Sequence, residues 1–370
     1  MNNPKLLAAV IAKNEWPLLG LAIVHVLHSG ADTVLVIDHD SNDETQLRIG
    51  QLQARFPGRI YLALNHDSMF RQAASIHLAL SNFGIKEFDW VYVFDADEFM
   101  LFEDGHNFKT MIQEIAPDVA ALRYEVENWI VPKDFDFRDL NQYQRISHQA
   151  IVNKTFNEKS ENSIKSGESN FFDYPFPSKI IVRSENALLL AAGCHGLVTA
   201  PQKGQRETLL MTARVAHIPF ISPDKLVRRI DTAGRERNAG FARSHGWQNE
   251  MISEVHSEGS LNAFWERHSI SEIDNLNQFG KVRAEKSQTL STALLAAEQN
   301  MDLAFESEKE HQKVLFELGE AEISAVNALL LQRDNLLNER DILLNERNNL
   351  VGSWSWRLNA TIRKLSRFFK

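Results

Sequence analysis

The sequence predicts an α/β fold: a mixed, mostly parallel sheet flanked by helices, followed by a long C-terminal helix. Three observations predict it. Short apolar runs alternate with amphipathic, helix-length segments through the first third of the chain. Several of those runs stop abruptly in polar clusters, which is how the strands of a parallel sheet meet their ligands. From about residue 290 the composition becomes that of one long helix, with an internal period of seven.

The elements follow in order. An apolar run over 6–12 reads as a first strand, because Lys13-Asn14-Glu15 follows at once and no small-residue cleavage pattern of a secretory leader is present. Asn14 can cap a helix that carries Pro17 in its first turn and stops at Gly30. A second strand over 33–37 closes in Asp38-His39-Asp40-Ser41-Asn42-Asp43, where Ser41 or Asp43 can cap the next helix, 44–55. A strand over 59–64, a helix from 71 to 82 and a strand over 90–94 complete the alternation, which right-handed crossovers turn into a parallel, doubly wound sheet.

Beyond that, 108–115 reads as a helix and 120–127 as one half-buried strand with alternating faces. Residues 153–177 read as a polar surface loop or lid. Strands are expected at 179–182, 187–191 and 214–218, and helices over 223–242 and 248–267.

The chain has 370 residues, 44% hydrophobic and 24% charged, enough for one large domain or two smaller ones. A net charge of −9 argues against a general nucleic-acid binder, which needs a basic surface to neutralise phosphates. The single cysteine, Cys194, forbids an intrachain disulfide, suits a reducing compartment and reads as a small buried apolar residue. No apolar run is long enough to span a bilayer. The expected location is therefore the cytoplasm.

The chemistry concentrates at the end of the 90–94 run. Asp95-Ala96-Asp97-Glu98 places three carboxylates at a strand tip, where they repel one another unless a cation joins them. Hard oxygen ligands suit Mg²⁺ or Mn²⁺, which can bridge the phosphates of a diphosphate. Asp38 and Asp40 stand where carboxylates can hold a ribose or base, or can simply form an Asx turn. Asn14 and Glu15 have the same two readings. Arg71 and Gln72 open a helix after a loop and can meet phosphate or base, or can be ordinary helix-start residues.

The segments 6–15 (LLAAVIAKNE), 36–45 (VIDHDSNDET) and 90–99 (WVYVFDADEF), in that order and spacing, resemble the family-2-like glycosyltransferases of the GT-A fold. They are similar in particular to the bacterial branch with KNE, DxDSxD and DADEF signatures. The resemblance covers 1–130, and His39 stands where the second motif usually has Asn or Asp. It implies a nucleotide-diphosphate-sugar donor, a Mn²⁺ or Mg²⁺ ion on the D-x-D pair, and transfer to the hydroxyl of a saccharide or lipid-linked saccharide. Carried over by position, Glu15 and Asp38 would hold the nucleoside, and Asp95 and Asp97 would hold metal and diphosphate; Asn14, Asp40 and Gln72 are further candidates for donor contact from their places at the strand and helix ends. Such folds often give a later histidine to the metal; His217 is the first choice and His195 the second. An inverting transfer needs a carboxylate base, for which Glu127 is chosen, with Asp134 and Asp136 behind it. Trp129 can stack on a sugar or fill the core.

The expected division is 1–285 for the catalytic domain (1–130 for the donor, 131–285 for the acceptor), 286–353 for the long helix, and 354–370 for a basic tail. Within the long helix, RDNLLNE, RDILLNE and RNNLVGS repeat at seven-residue intervals, so the leucine stripe makes either a homo-oligomeric coiled coil or a helix docked on its own domain. The tail, from Trp354 through Trp356, Arg357 and Arg363 to Lys370, contains no acid. It resembles the S-W-R-L ending of bacterial surface-polysaccharide glycosyltransferases, and its chemistry suits peripheral contact with the inner membrane surface. Two other functions share some of these features: a nucleotidyltransferase, although Lys13-Asn14-Glu15-Trp16 is no glycine-rich phosphate loop, and a non-catalytic coiled-coil scaffold.

Overall fold

The computed structural model describes residues 3–103, 105–199, 204–227, 230, 247–269, 287–305 and 313–368. The chain divides into two units, Met1–Ile323 and Ser324–Lys370. The first half of the larger unit alternates as expected: β1 (Leu6–Ala12), α1 (Leu18–His28), β2 (Thr33–Asp38), α2 (Thr45–Arg55), β3 (Ile60–Asn65), α3 (Gln72–Phe83) and β4 (Trp90–Val93). Then follow β5 (Glu98–Phe102), α4 (Phe108–Gln113), β6 (Val119–Tyr124), β7 (Val126–Ile130), β8 (His148–Gln149), α5 (Ser160–Ser166), β9 (Lys179–Arg183), β10 (Arg206–Leu209) and β11 (Ala213–His217). The last described elements are α6 (Trp247–Ser257), α7 (Leu261–His268), α8 (Ser287–Phe305), β12 (Val314–Leu318) and α9 (Glu320–Phe368). Among the described residues no helix is long and apolar enough to cross a membrane.

The main sheet has the order β10-β6-β9-β4-β1-β2-β3-β12. Its neighbours pair in parallel except around β9, which runs antiparallel to both β4 and β6. A second sheet, β5-β11-β7-β8, stands beside it. β1 and β2 are buried along their whole length, as strands covered on both faces must be. α1 buries every residue from Leu18 to Leu27, which is why its sequence is apolar all round.

Several expectations change. The segment 120–127 is two strands in two different sheets, β6 and β7, and β6 is almost wholly buried. Residues 153–177 are more than a surface loop: α5 lies within them, and Phe171, Phe172 and Tyr174 are buried in the core. The expected strand at 187–191 is mostly a 3-10 turn, Ser184–Leu189. The helix at 248–267 is broken into α6 and α7 around Gly259, whose φ of 71° no ordinary residue adopts readily. Of the helix at 223–242, all but 223–227 and 230 lies outside the described residues.

The larger unit extends to Ile323 and so takes in α8 and β12. α8 packs into the core through Leu290, Leu294, Ala297 and Met301, and β12 pairs with β3. β12 escapes a sequence reading because its alternating, half-exposed pattern is short and interrupts helical composition. Asn14 does not cap α1, whose N-terminus carries no side-chain cap.

A close approach ties α1 to α8. A Cβ added at Gly20 would lie 2.4 Å from the Trp16 ring and 2.8 Å from the Met301 side chain. Both neighbours are themselves buried, so neither can swing into solvent. Gly20→Ala is expected to lower stability by about 1–3 kcal/mol through overpacking, read as a lower urea midpoint.

Candidate active site

The site forms where strand order reverses. From β1 the chain moves through β2 to β3 on one side, then crosses to β4 on the other. In open α/β sheets ligands bind at such a switch point, beyond the carboxyl ends of the strands. Register brings the tips level: Ala12 pairs with Asp38, and Ala9 with Val93 just before the acid cluster.

Asn14 holds the first two tips together. Its backbone adopts φ 55°, its N–H donates to Ser41 Oγ at 2.9 Å, and its side-chain oxygen accepts from the N–H groups of Asn42 and Asp43 at 2.8 and 3.2 Å. Glu15 meets a buried cation, Lys225, whose Nζ lies 2.6 Å from Glu15 Oε2 and 2.5 Å from the Asn14 carbonyl oxygen. Asp38 is fully buried; one carboxylate oxygen accepts from Ser41 N–H and from Gln46 Nε2, at 3.1 and 2.6 Å. Its other oxygen, Oδ1, has no partner among the described residues. An unpartnered buried carboxylate oxygen costs a few kcal/mol, on the order of 1–3, so it marks a place for a ligand's donor. Asp40 lies out in solvent with φ 54°, 3.9 Å from His66.

The third tip carries the acids, and the chain supplies their cation. β9 runs backwards, so its first residue, Lys179, sits at the carboxyl end of its parallel neighbours. There Lys179 Nζ lies 2.6 Å from Asp95 Oδ2 and 2.6 Å from Glu98 Oε1. Burial opposes the lysine's charge, but the two carboxylates outweigh it and hold its pKa well above the ordinary value. Burial raises the Glu98 carboxyl, Lys179 pulls it back, and the net direction is upward. Glu98 also braces the turn: its Oε2 accepts from the Asp95 N–H at 3.2 Å. Gln72, at the start of α3, donates to Asp95 Oδ1 at 3.2 Å.

Asp97 faces the second sheet. Glu98, His217 and Asn128 form a row across β5, β11 and β7, because register pairs Glu98 with His217 and His217 with Asn128. His217 Nδ1 lies 2.8 Å from Asn128 Oδ1, an acceptor, so the proton sits on Nδ1 and Nε2 is turned to Asp97 Oδ2 at 3.6 Å. Phe176 packs on the imidazole with centroids 4.2 Å apart. A carboxylate oxygen facing an oriented imidazole nitrogen fits a divalent cation. Asp95 accepts from Gln72 through Oδ1 and from Lys179 through Oδ2 in this arrangement. Among the described residues no group of three His, Cys, Asp or Glu is assembled for a metal.

Other expected residues lie elsewhere. Glu127 is bound to Arg214 at 2.9 Å, and strand alternation puts it on the opposite face of β7 from Asn128, so it is not delivered to the acid cluster. Asp134 is exposed and pairs with Arg145 at 2.6 Å, while Asp136 accepts from the Arg138 N–H in a turn. Trp129 is fully buried core, not a platform. His195 holds the Ser178 carbonyl oxygen at 3.1 Å through Nδ1. Burial pushes the Cys194 thiol up to about 12, consistent with an inert apolar residue. Lys179, Lys225, Gln46 and Asn128 escape a sequence reading: each is a polar residue in a segment with no recognisable motif, and only the fold gives it a partner.

Removing the internal cation strands a buried carboxylate. Lys179→Met is expected to destabilise the protein by about 3–5 kcal/mol at neutral pH, and Lys179→Met with Glu98→Gln to recover most of that loss, as read by chemical unfolding. Glu127→Gln is expected to leave any turnover within about tenfold, or about 1.4 kcal/mol, because its partner Arg214 is on the far face; steady-state rates check this.

No family model matches the chain, and no curated protein matches its sequence. Among solved structures it is similar to TarS of S. aureus, at 15% identity and a TM-score of 0.29, over 90% of this chain and 55% of that one. It is also similar to a putative glucose-1-phosphate thymidylyltransferase from Bacillus anthracis, solved in complex with a sucrose, at 9% identity and a TM-score of 0.31, over 64% of this chain and 97% of that one. The chain thus spans about half the length of TarS.

Proposed function

We propose that the chain is a metal-dependent glycosyltransferase that moves a sugar from a nucleotide-diphosphate sugar to an acceptor hydroxyl. The observation that carries this reading is the convergence of three polar strand tips at the switch point, one of them holding the buried, unpartnered Asp38 Oδ1. Asp38 accepts a hydrogen bond from the nucleoside, and Asn14, Glu15 and Lys225 keep the neighbouring loop in place for it. Gln72 and Lys179 orient Asp95 beside the diphosphate. Asp97 and His217 are the side chains that would hold Mn²⁺ or Mg²⁺. Such an ion supplies positive charge to the departing diphosphate. The motif resemblance supports the same donor. It also supports a saccharide or lipid-linked acceptor in bacterial surface polysaccharide or lipopolysaccharide synthesis, with the basic tail at the inner membrane surface.

A melting-temperature screen of nucleotide sugars with Mn²⁺ is expected to show a rise for the true donor, by mass action; no rise with any of them argues against the reading. With that donor, Asp97→Ala is expected to abolish turnover while the melting temperature without ligand stays unchanged. An active Asp97→Ala protein refutes the metal role. The released product separates the two transferase chemistries, since sugar transfer frees a nucleoside diphosphate and nucleotidyl transfer frees pyrophosphate.

A further inference from the structure

The described part of the smaller unit, 324–368, belongs to a single helix, α9. Along it Leu329, Leu336 and Leu343 are exposed to 64%, 58% and 64%. They recur every seven residues, and Leu330, Leu337 and Leu344 follow each by one position. Three residues before Leu336 and Leu343, on the same side of the helix, stand Arg333 and Arg340, and Glu339 immediately precedes Arg340. Among the described residues each arginine pairs with the next residue: Arg333 with Asp334 at 2.8 Å and Arg340 with Asp341 at 2.7 Å. A helix that buries so little of its apolar stripe draws its stability from what covers it.

We propose that this stripe is a self-association surface whose occupant is a second copy of the same helix, parallel and in register. With the leucines 329, 336 and 343 at d, the arginines fall at a, and Glu339 falls at g. In a parallel pair the a residue lies beside the preceding g residue of the other helix. Arg340 then meets Glu339 of a second copy, which relieves the repulsion between facing arginines. An antiparallel pair would bring g rows together and leave those arginines without that partner. The charge pattern therefore selects both the occupant and its direction. The sequence carries the same period on to Leu350 and Val351.

The test uses the full chain. Sedimentation equilibrium at tens of micromolar is expected to give a multiple of 42.2 kDa, and Leu336→Glu with Leu343→Glu to return the mass to 42.2 kDa. The thermal transition of the larger unit should be unchanged in that variant. Leu336→Cys is expected to cross-link to its own copy under mild oxidation, whereas Asn338→Cys, on the outer face, should not. The native Cys194 does not compete, since it is buried and only 5% exposed. A mass of 42.2 kDa for the unaltered chain overturns the proposal and leaves the stripe to another occupant. A multiple that survives the double substitution also overturns it, because another surface then holds the copies together. Loss of the multiple in the double variant without cross-linking at 336 overturns the parallel register.

Discussion

The buried ammonium of Lys179 between Asp95 and Glu98 is the contact on which the rest of the site depends. Three carboxylates in four residues cannot stay ionised at a buried strand tip without a positive partner. The reversed direction of β9 delivers that partner from far along the chain. Glu98 is at once a ligand of the lysine, a brace for the Asp95 backbone and the first residue of β5. One buried ammonium, through two ion pairs, therefore fixes the shape of the acid turn and the point where the second sheet begins.

From that point the geometry propagates by register. β5 pairs with β11, and β11 with β7, so Glu98, His217 and Asn128 are set in one row. Asn128 fixes which imidazole nitrogen carries the proton, and the other nitrogen faces Asp97. Lys179 is thereby committed to Asp95 and Glu98, while the Asp97 carboxylate turns to the His217 ring at 3.6 Å. On the other side of the switch point a second buried lysine, Lys225, ties Glu15 and the Asn14 carbonyl. Two buried lysines thus fix the acids of two strand tips, Lys179 by bridging Asp95 and Glu98 and Lys225 by pairing with Glu15.

Much of this was legible in the sequence. Apolar runs ending in polar clusters fixed β1, β2 and β4 and the edge at which Asp38, Asp95 and Asp97 gather, because burial on both faces and solvation at the tip impose that pattern on the residues themselves. Seven-residue spacing likewise defined the leucine stripe of α9. What only the tertiary structure decided are the long-range partners. The direction of β9 makes Lys179 a neighbour of Asp95, strand alternation turns Glu127 away, and β12 joins β3 across most of the chain. The division has a physical cause. Periodicity and strand ends are local consequences of burial, whereas strand direction, order and register come from pairing between distant segments, which leaves no repeating mark in either one.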